Sequence, residues 1–337
     1  MIQNENEFLS KNYTNCLKGL FAIVVLIHHI RAQMICLNNT LIGMLITSLG
    51  YLSVGMFFFF SGYGLETQFK LKDNEYILKM PFSRIIPFYC ICILSIFIYT
   101  FFNLILNNEI TIKRFIASFF FGETIVQNGW YLQSIILIYL IYYIAYKLGI
   151  NKKSRWVYLG TLLTFYIICC IFFNVSITYY ESILAFPFGI YVAQYKDYIK
   201  NINIKMKYLI ECFVAIIFFI TFLFGNLNIL PKGISIFLKM ISVVFFICVI
   251  LNITSVLPVE NMFTRVLGKI FCEIYIIQGM IINLFHSSYI YIKDDGLYFF
   301  LTFLVTITIS LLIHPVFIYV MNKSKEIALK KCKMYIK

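Results

Sequence analysis

The sequence predicts an all-α, polytopic transmembrane helix bundle of about ten helices with both termini cytosolic. Three observations predict it. Hydrophobic residues make up 61% of the 337 positions and charged residues only 13%, against roughly 25% charge in a soluble domain. The charges are gathered between long charge-free stretches, as expected where a charge at mid-bilayer is penalised. The Lys and Arg residues also alternate, dense in one set of connections and sparse in the other.

In chain order, the polar start has no signal-cleavage pattern, so the first apolar run, Cys16–Cys36, stays as a helix. The further charge-free runs are Leu45–Leu65, Ile85–Asn108, Thr124–Tyr146, Trp156–Tyr180, Ser182–Tyr195, Cys212–Pro231, Ile241–Val259, Ile274–Ile292 and Gly296–Asn322. The short Ser182–Tyr195 run contains Pro187 and Gly189 and reads as a short, kinked or partly re-entrant helix, tolerated only against protein. Most of the 28 Lys and Arg residues fall before the first run, in alternate connections (Lys70 to Arg84, Lys147 to Arg155, Lys196 to Lys207, Arg265 and Lys269) and after the last run. That asymmetry places both termini in the cytosol. The expected organisation is a cytosolic segment over 1–15, a transmembrane domain over 16–322 and a basic cytosolic tail over 323–337, which either touches anionic headgroups or is solvated.

The net charge of +13 would suit nucleic acid, but cations placed between apolar runs are explained by membrane topology, so no nucleic-acid partner is expected. Nearly all of the ten cysteines lie in or beside apolar runs and none form a Cys-x-x-Cys pair. They read as small apolar residues, and no metal or disulfide framework is expected.

The stretch from Lys18 to His29 carries the clearest candidate chemistry. Eleven helical steps bring His29 back to within roughly 20° of Lys18's face, about 16 Å further along, so Lys18, Ala22, Val25 and His29 form one stripe. With Lys18 at one membrane surface, His29 would lie somewhat past mid-depth of a ~30 Å core, and His28 would point roughly 100° away. Side chains this costly in lipid face a bundle interior or a water-filled cavity. Phe57 to Gly64 ends the second run with Ser61, Gly62 and Gly64, where glycines admit a close neighbouring backbone and serine can bond across it. Beyond a cytosolic loop, Arg84 opens the third helix between Pro81 and Pro87, placed to anchor at headgroup level or to bind phosphate. Asn128-Gly129-Trp130-Tyr131 opens the fourth helix as interfacial belt residues. Ala185-Phe-Pro187-Phe-Gly189 interrupts the sixth. Glu273 either sits at the cytosolic interface or points inward as the partner of a cation or imidazole. His286 and His314 read as structural.

Together these segments resemble the acyltransferase-3 family of integral membrane O-acyltransferases. The resemblance rests on Lys18-x10-His29, Phe-Phe-x-x-Ser61-Gly62, Arg84-Ile-Ile-Pro87, Gly129-Trp130-Tyr131-Leu132, Phe186-Pro187-Phe188-Gly189 and Gly268-Lys-Ile…Ile274-Tyr275-Ile276-Ile277, and it spans about residues 12–320 in the family's order. It implies transfer of an acyl group, usually acetyl, from cytosolic acyl-CoA to a hydroxyl of a cell-surface glycan or polysaccharide at the plasma membrane. No cofactor beyond the co-substrate acyl-CoA is implied, and polysaccharide-biosynthesis proteins are possible partners. It further implies catalytic roles for His29 and Glu273, acyl-donor binding by Lys18, Arg84 and Ser61, and supporting roles for His28 and Trp130. Two positions depart from the family pattern: Pro81 stands where a second arginine is common, with Lys79 nearby, and Gln278 stands where many members have histidine, so Gln278 is given no catalytic role. The alternatives are an exporter or flippase of a glycan or lipid-linked sugar, and a non-catalytic membrane subunit holding a polysaccharide synthase.

Overall fold

A computed structural model describes residues 9–34, 36, 40–120, 125–200, 204–227, 229–257 and 259–335. Residues 1–8 of the expected cytosolic segment, Thr124 at the expected start of the fourth span, and residues 336–337 of the tail lie outside the described residues. The helices are α1 (Lys11–Arg31), α2 (Leu41–Met80), α3 (Ile86–Ile105), α4 (Ile112–Ser118), α5 (Trp130–Leu148), α6 (Lys152–Phe172), α7 (Ala185–Lys200), α8 (Ile204–Asn226), α9 (Lys232–Val256), α10 (Met262–Lys269), α11 (Phe271–Leu284) and α12 (Asp295–Tyr335). A π-helical turn, Pro81–Ile85, joins α2 to α3. Among the described residues the only extended pairing is an isolated bridge between His286 and Tyr291.

Seven helical stretches are long and apolar enough to cross a membrane, and α10 with α11, bent by 71°, makes an eighth candidate. The chain is a multi-pass membrane protein. Length and apolarity mark fewer stretches than there are charge-free runs, for two reasons. Residues 42–105 form one helical path of 64 residues, and α7, at 16 residues, is shorter than the ~20 a span needs.

Several local expectations are corrected. The stretch between the second and third runs is not a loop: α2 continues through it, broken only at Asp73, whose φ of 50° and ψ of −140° turn the chain. Charges mark where lipid contact ends, and an exposed helix tolerates them. Nor does Pro187 interrupt a helix. It lies in the first turn of α7, where the missing N–H has no intrahelical partner to lose. The short α4 was not expected. It folds back along α3, with Phe115 and Phe119 both against the Phe97 ring and the Tyr89 hydroxyl donating to Phe119 O at 3.1 Å.

The helices form two compact units, Met1–Gln68 with Tyr180–Cys272, and Phe69–Tyr179 with Glu273–Lys337. In the first, Ser10 caps α1 by accepting from the Tyr13 N–H, and the Tyr13 hydroxyl donates to Thr254 O of α9 at 2.7 Å. α1 crosses α10 backbone to backbone: a Cβ on Gly19 would lie 2.5 Å from Gly268 N, so only glycine permits the approach. α2 and α7 interlock in the same way. A Cβ on Gly62 would strike Phe186 O, and one on Gly189 would strike Phe59 O.

In the second unit α3 lies against α12 and α5 against α6. Asn151 and Ser154 form a capping box at the start of α6. Arg155 lays its guanidinium over Phe69 (4.6 Å) and Tyr146 (5.5 Å) and donates to Gly149 O. α12 contains Pro315 and runs for 41 residues, about 60 Å at ~1.5 Å per residue, twice a ~30 Å hydrocarbon core. The basic tail is therefore mostly a helical extension, in which Ala328 and Cys332 are buried.

Candidate active site

α1 presents the predicted stripe. Ala22 and Val25 are buried at 1% exposure each, so the face they share with Lys18 and His29 points into protein. Lys18 is half-buried, its ammonium 5.9 Å from the Phe60 ring centre and 5.6 Å from that of Phe271. Two aromatic rings flank the ammonium there. His29 lies in the last turn of α1, which ends at Arg31.

His28 is fixed by α2. Its Nδ1 lies 3.2 Å from Ile46 O, and because a carbonyl only accepts, Nδ1 carries the hydrogen and Nε2 the lone pair. The ring occupies the space beside Gly50, where a Cβ would sit 2.7 Å from Nε2. His28 in turn meets His29 edge to face, ring centres 4.8 Å apart at 64°. An oriented imidazole thus buttresses its neighbour. Ser61 stands beside the Gly62–Gly189 crossing, where close packing accounts for the glycines.

The other predicted residues lie in the second unit. Arg84, exposed in the π-helical turn, interacts with the hydroxyl of Tyr76. Trp130 opens α5 with its ring 5.8 Å from Tyr179. Its neighbour Tyr131 is 5.2 Å from the Tyr275 ring, and the Tyr275 hydroxyl donates to Asn128 O at 2.5 Å. The Asn128–Tyr131 turn is therefore packed against α11. Glu273 is 3% exposed, and its Oε1 accepts from His314 Nδ1 at 2.6 Å. The imidazole it orients is His314. The second carboxylate oxygen, Oε2, is buried with no hydrogen-bond partner among the described residues. Gln278, 1% exposed, likewise has both amide atoms buried and unpartnered.

Among the described residues, this unit contains a groove and an apolar pocket. His314, Tyr319, Asn322, Lys323 and Glu326 line a groove of about 670 Å³ beside Pro315. An apolar pocket of about 500 Å³ is walled by Tyr89, Ile96, Leu132, Ile136, Tyr166 and Phe173. Among the described residues no three His, Cys, Asp or Glu side chains come together as metal ligands.

Two ionic pairings were missed by sequence reasoning. His314, expected as structural, pairs with Glu273, and an imidazole in an apolar run is itself a signal for a buried acid. Lys239 stands between the charge-free runs Cys212–Pro231 and Ile241–Val259, yet it falls inside α9, 3.9 Å from the Glu181 carboxylate.

Comparison with known proteins adds the class of chemistry. The family model described as "Acyltransferase domain", acyltransferase 3, matches residues 11–315. No curated protein and no solved structure matches the chain. The match covers most of the sequence, and the chain belongs to this membrane acyltransferase family.

Proposed function

We propose that this acyltransferase-3 protein is an acyl-CoA-dependent O-acyltransferase of the plasma membrane. It would move an acyl group, acetyl in the simplest case, from cytosolic acyl-CoA to a hydroxyl of an extracytoplasmic glycan or polysaccharide. The observation that carries this reading is the imidazole pair at the end of α1: His28, locked by Ile46 O and Gly50, supports His29 on the same helical face as Lys18. A sugar hydroxyl is a weak nucleophile, and a neutral imidazole that takes its proton contributes typically 10²–10⁴-fold. In this reading the basic nitrogen of His29 accepts the hydroxyl proton as the oxygen attacks the thioester carbon. The C–O bond forms, the C–S bond breaks, and the proton passes to the departing CoA thiolate. An acyl-histidine relay would carry the same group through His29 in two steps.

The donor's phosphates need cations. Lys18 lies over the rings of Phe60 and Phe271, and Arg84 is exposed on a turn stiffened by Pro81 and Pro87. Both suit this role, with Ser61 assigned to the same donor side. Glu273 enters through His314, whose Nδ1 it holds, and Trp130 through the packed turn at α5. The Lys and Arg asymmetry supports cytosolic termini and ten crossings. Polysaccharide-biosynthesis proteins are the proposed partners that deliver the acceptor.

The test uses purified proteoliposomes, labelled acetyl-CoA, and surface glycan extracted from cells lacking the protein. Label should enter the glycan with the wild type. His29→Ala should stop transfer with a normal amount of protein in the membrane, and undiminished ester content in that variant would overturn the reading. An exporter would move glycan without consuming acyl-CoA.

A further inference from the structure

A polar cluster is built into the first unit, at the end where α1 carries its imidazole pair. Lys239 lies seven residues into α9, about 10 Å from the start of that helix. Its ammonium is 3.9 Å from Glu181 Oε2 and 5.4 Å from the centre of the Tyr51 ring. The Tyr51 hydroxyl lies 3.2 Å from Ser242 Oγ and accepts from Asn226 Nδ2 at 3.1 Å. Asn226 Oδ1 in turn accepts from Ser48 Oγ at 3.4 Å, and Ser182 Oγ donates to Tyr51 O at 2.7 Å. Gly225 makes room for this arrangement, since a Cβ there would press on the Lys239 side chain at 3.2 Å.

Three features separate this cluster from ordinary packing. A lysine and a glutamate, the latter 7% exposed, are brought together in an apolar bundle, where ionisable groups are costly and mark substrate pathways by default. Their separation of 3.9 Å exceeds the roughly 2.7–2.9 Å of a direct charge-assisted hydrogen bond, so neither ion is satisfied by the other. A hydroxyl placed against both would accept from the ammonium and donate to the carboxylate. Finally, Tyr51 follows Gly50, the residue against which His28 is packed, so the cluster and the His28–His29 pair share the same turns of α2.

We propose that Lys239 and Glu181 form the binding subsite for the acceptor sugar, with Tyr51 and Asn226 positioning them, and that this sugar is neutral. The inference rests on the acyltransferase reading for the identity of the bound group as an acceptor. The pair offers donors on Lys239 and an acceptor on Glu181, with cation and anion balanced, which matches a polyhydroxyl ring carrying no net charge, while Asn226, whose amide hydrogens go to Tyr51 Oη and Phe222 O, holds the Tyr51 ring beside Lys239. A uronate would meet the Glu181 carboxylate at close range and be repelled.

The experiment measures binding to the purified full chain by calorimetry, without acyl-CoA, using maltotriose, cellotriose and chitotriose as neutral probes and trigalacturonate as the acidic one. At least one neutral trisaccharide should bind wild type more tightly than trigalacturonate. Glu181→Gln and Lys239→Met should each weaken that binding about tenfold, the scale of one lost hydrogen bond to a charged group. The double variant Glu181→Gln/Lys239→Met leaves no unpaired charge, so it should retain the wild-type melting temperature while binding sugar as weakly as either single variant. The proposal is overturned if no neutral trisaccharide binds wild type, if trigalacturonate binds best, or if the folded double variant binds like wild type. Acetyl-CoA binding measured on the same preparations keeps the two readings apart: its loss in wild type would count against the donor assignment and leave the sugar subsite standing.

Discussion

Glu273 and His314, 41 residues apart in the chain, meet through a 2.6 Å bond between carboxylate Oε1 and imidazole Nδ1. Glu273 sits in the first turn of α11, where a negative charge also complements the helix dipole. The pairing fixes the His314 ring with Nε2 as its second functional nitrogen, beside the groove lined by Tyr319, Asn322 and Lys323.

Glu273→Ala should lower stability by about 1–3 kcal/mol, because it strands the partner of a buried hydrogen bond. Glu273→Gln keeps an acceptor for Nδ1 and should cost less. Thermal unfolding in detergent checks the order, and equal melting temperatures for the two variants would refute a hydrogen-bonded pair.

The glycines of α2 and α7 are not equivalent. Gly62→Ala and Gly189→Ala each drive a methyl into a backbone carbonyl of the partner helix, whereas Gly64 has open space around its Cβ position. Overpacking of this kind costs typically 1–3 kcal/mol, and more where backbone must move. Gly62→Ala and Gly189→Ala should sharply reduce folded protein recovered from membranes, and Gly64→Ala should match wild type. Normal recovery of Gly189→Ala would show that the two helices do not cross there.

Arg84 is exposed on its π-helical turn, so its removal leaves no buried charge behind. Arg84→Ala should raise the KM for acyl-CoA while kcat changes little, the pattern of lost uniform binding. Steady-state kinetics across acyl-CoA concentrations decide it, and an unchanged KM would remove Arg84 from the donor site.

Glu181 supplies a pH test. Burial pushes its carboxyl above the ordinary value of 4.5, with Lys239 pulling the other way. A raised acid holds its proton longer in the folded chain, so it contributes stability that is complete below the unfolded pKa and lost as pH rises through the folded one. The melting temperature of wild type should therefore fall relative to Glu181→Gln as pH rises from about 4.5. A difference that stays constant with pH would show that this carboxyl is not perturbed.

The linear patterns that could be read correctly were those confined to one helix. The Lys18–His29 stripe follows from 3.6 residues per turn, and the burial of Ala22 and Val25 between them agrees with it. Charge does not mark where these helices end. The charged stretch after Glu66 was expected as a loop but is helix, because lysines and glutamates on an exposed face are good helix formers. Lys239, just outside a charge-free run, is a helical residue with a buried acid beside it.

The sequence by itself determined that this is a multi-pass helical membrane protein of the acyltransferase-3 family, with a lysine and a histidine on one face of its first helix. Composition, charge spacing and helical period are local properties, and a single chain displays them. Only the tertiary structure decided which imidazole Glu273 holds, why Gly62 and Gly189 must lack side chains, and that Lys239 has Glu181 for company. Each of these is a contact between different helices, set by how apolar faces pack, and no spacing along the chain encodes that geometry.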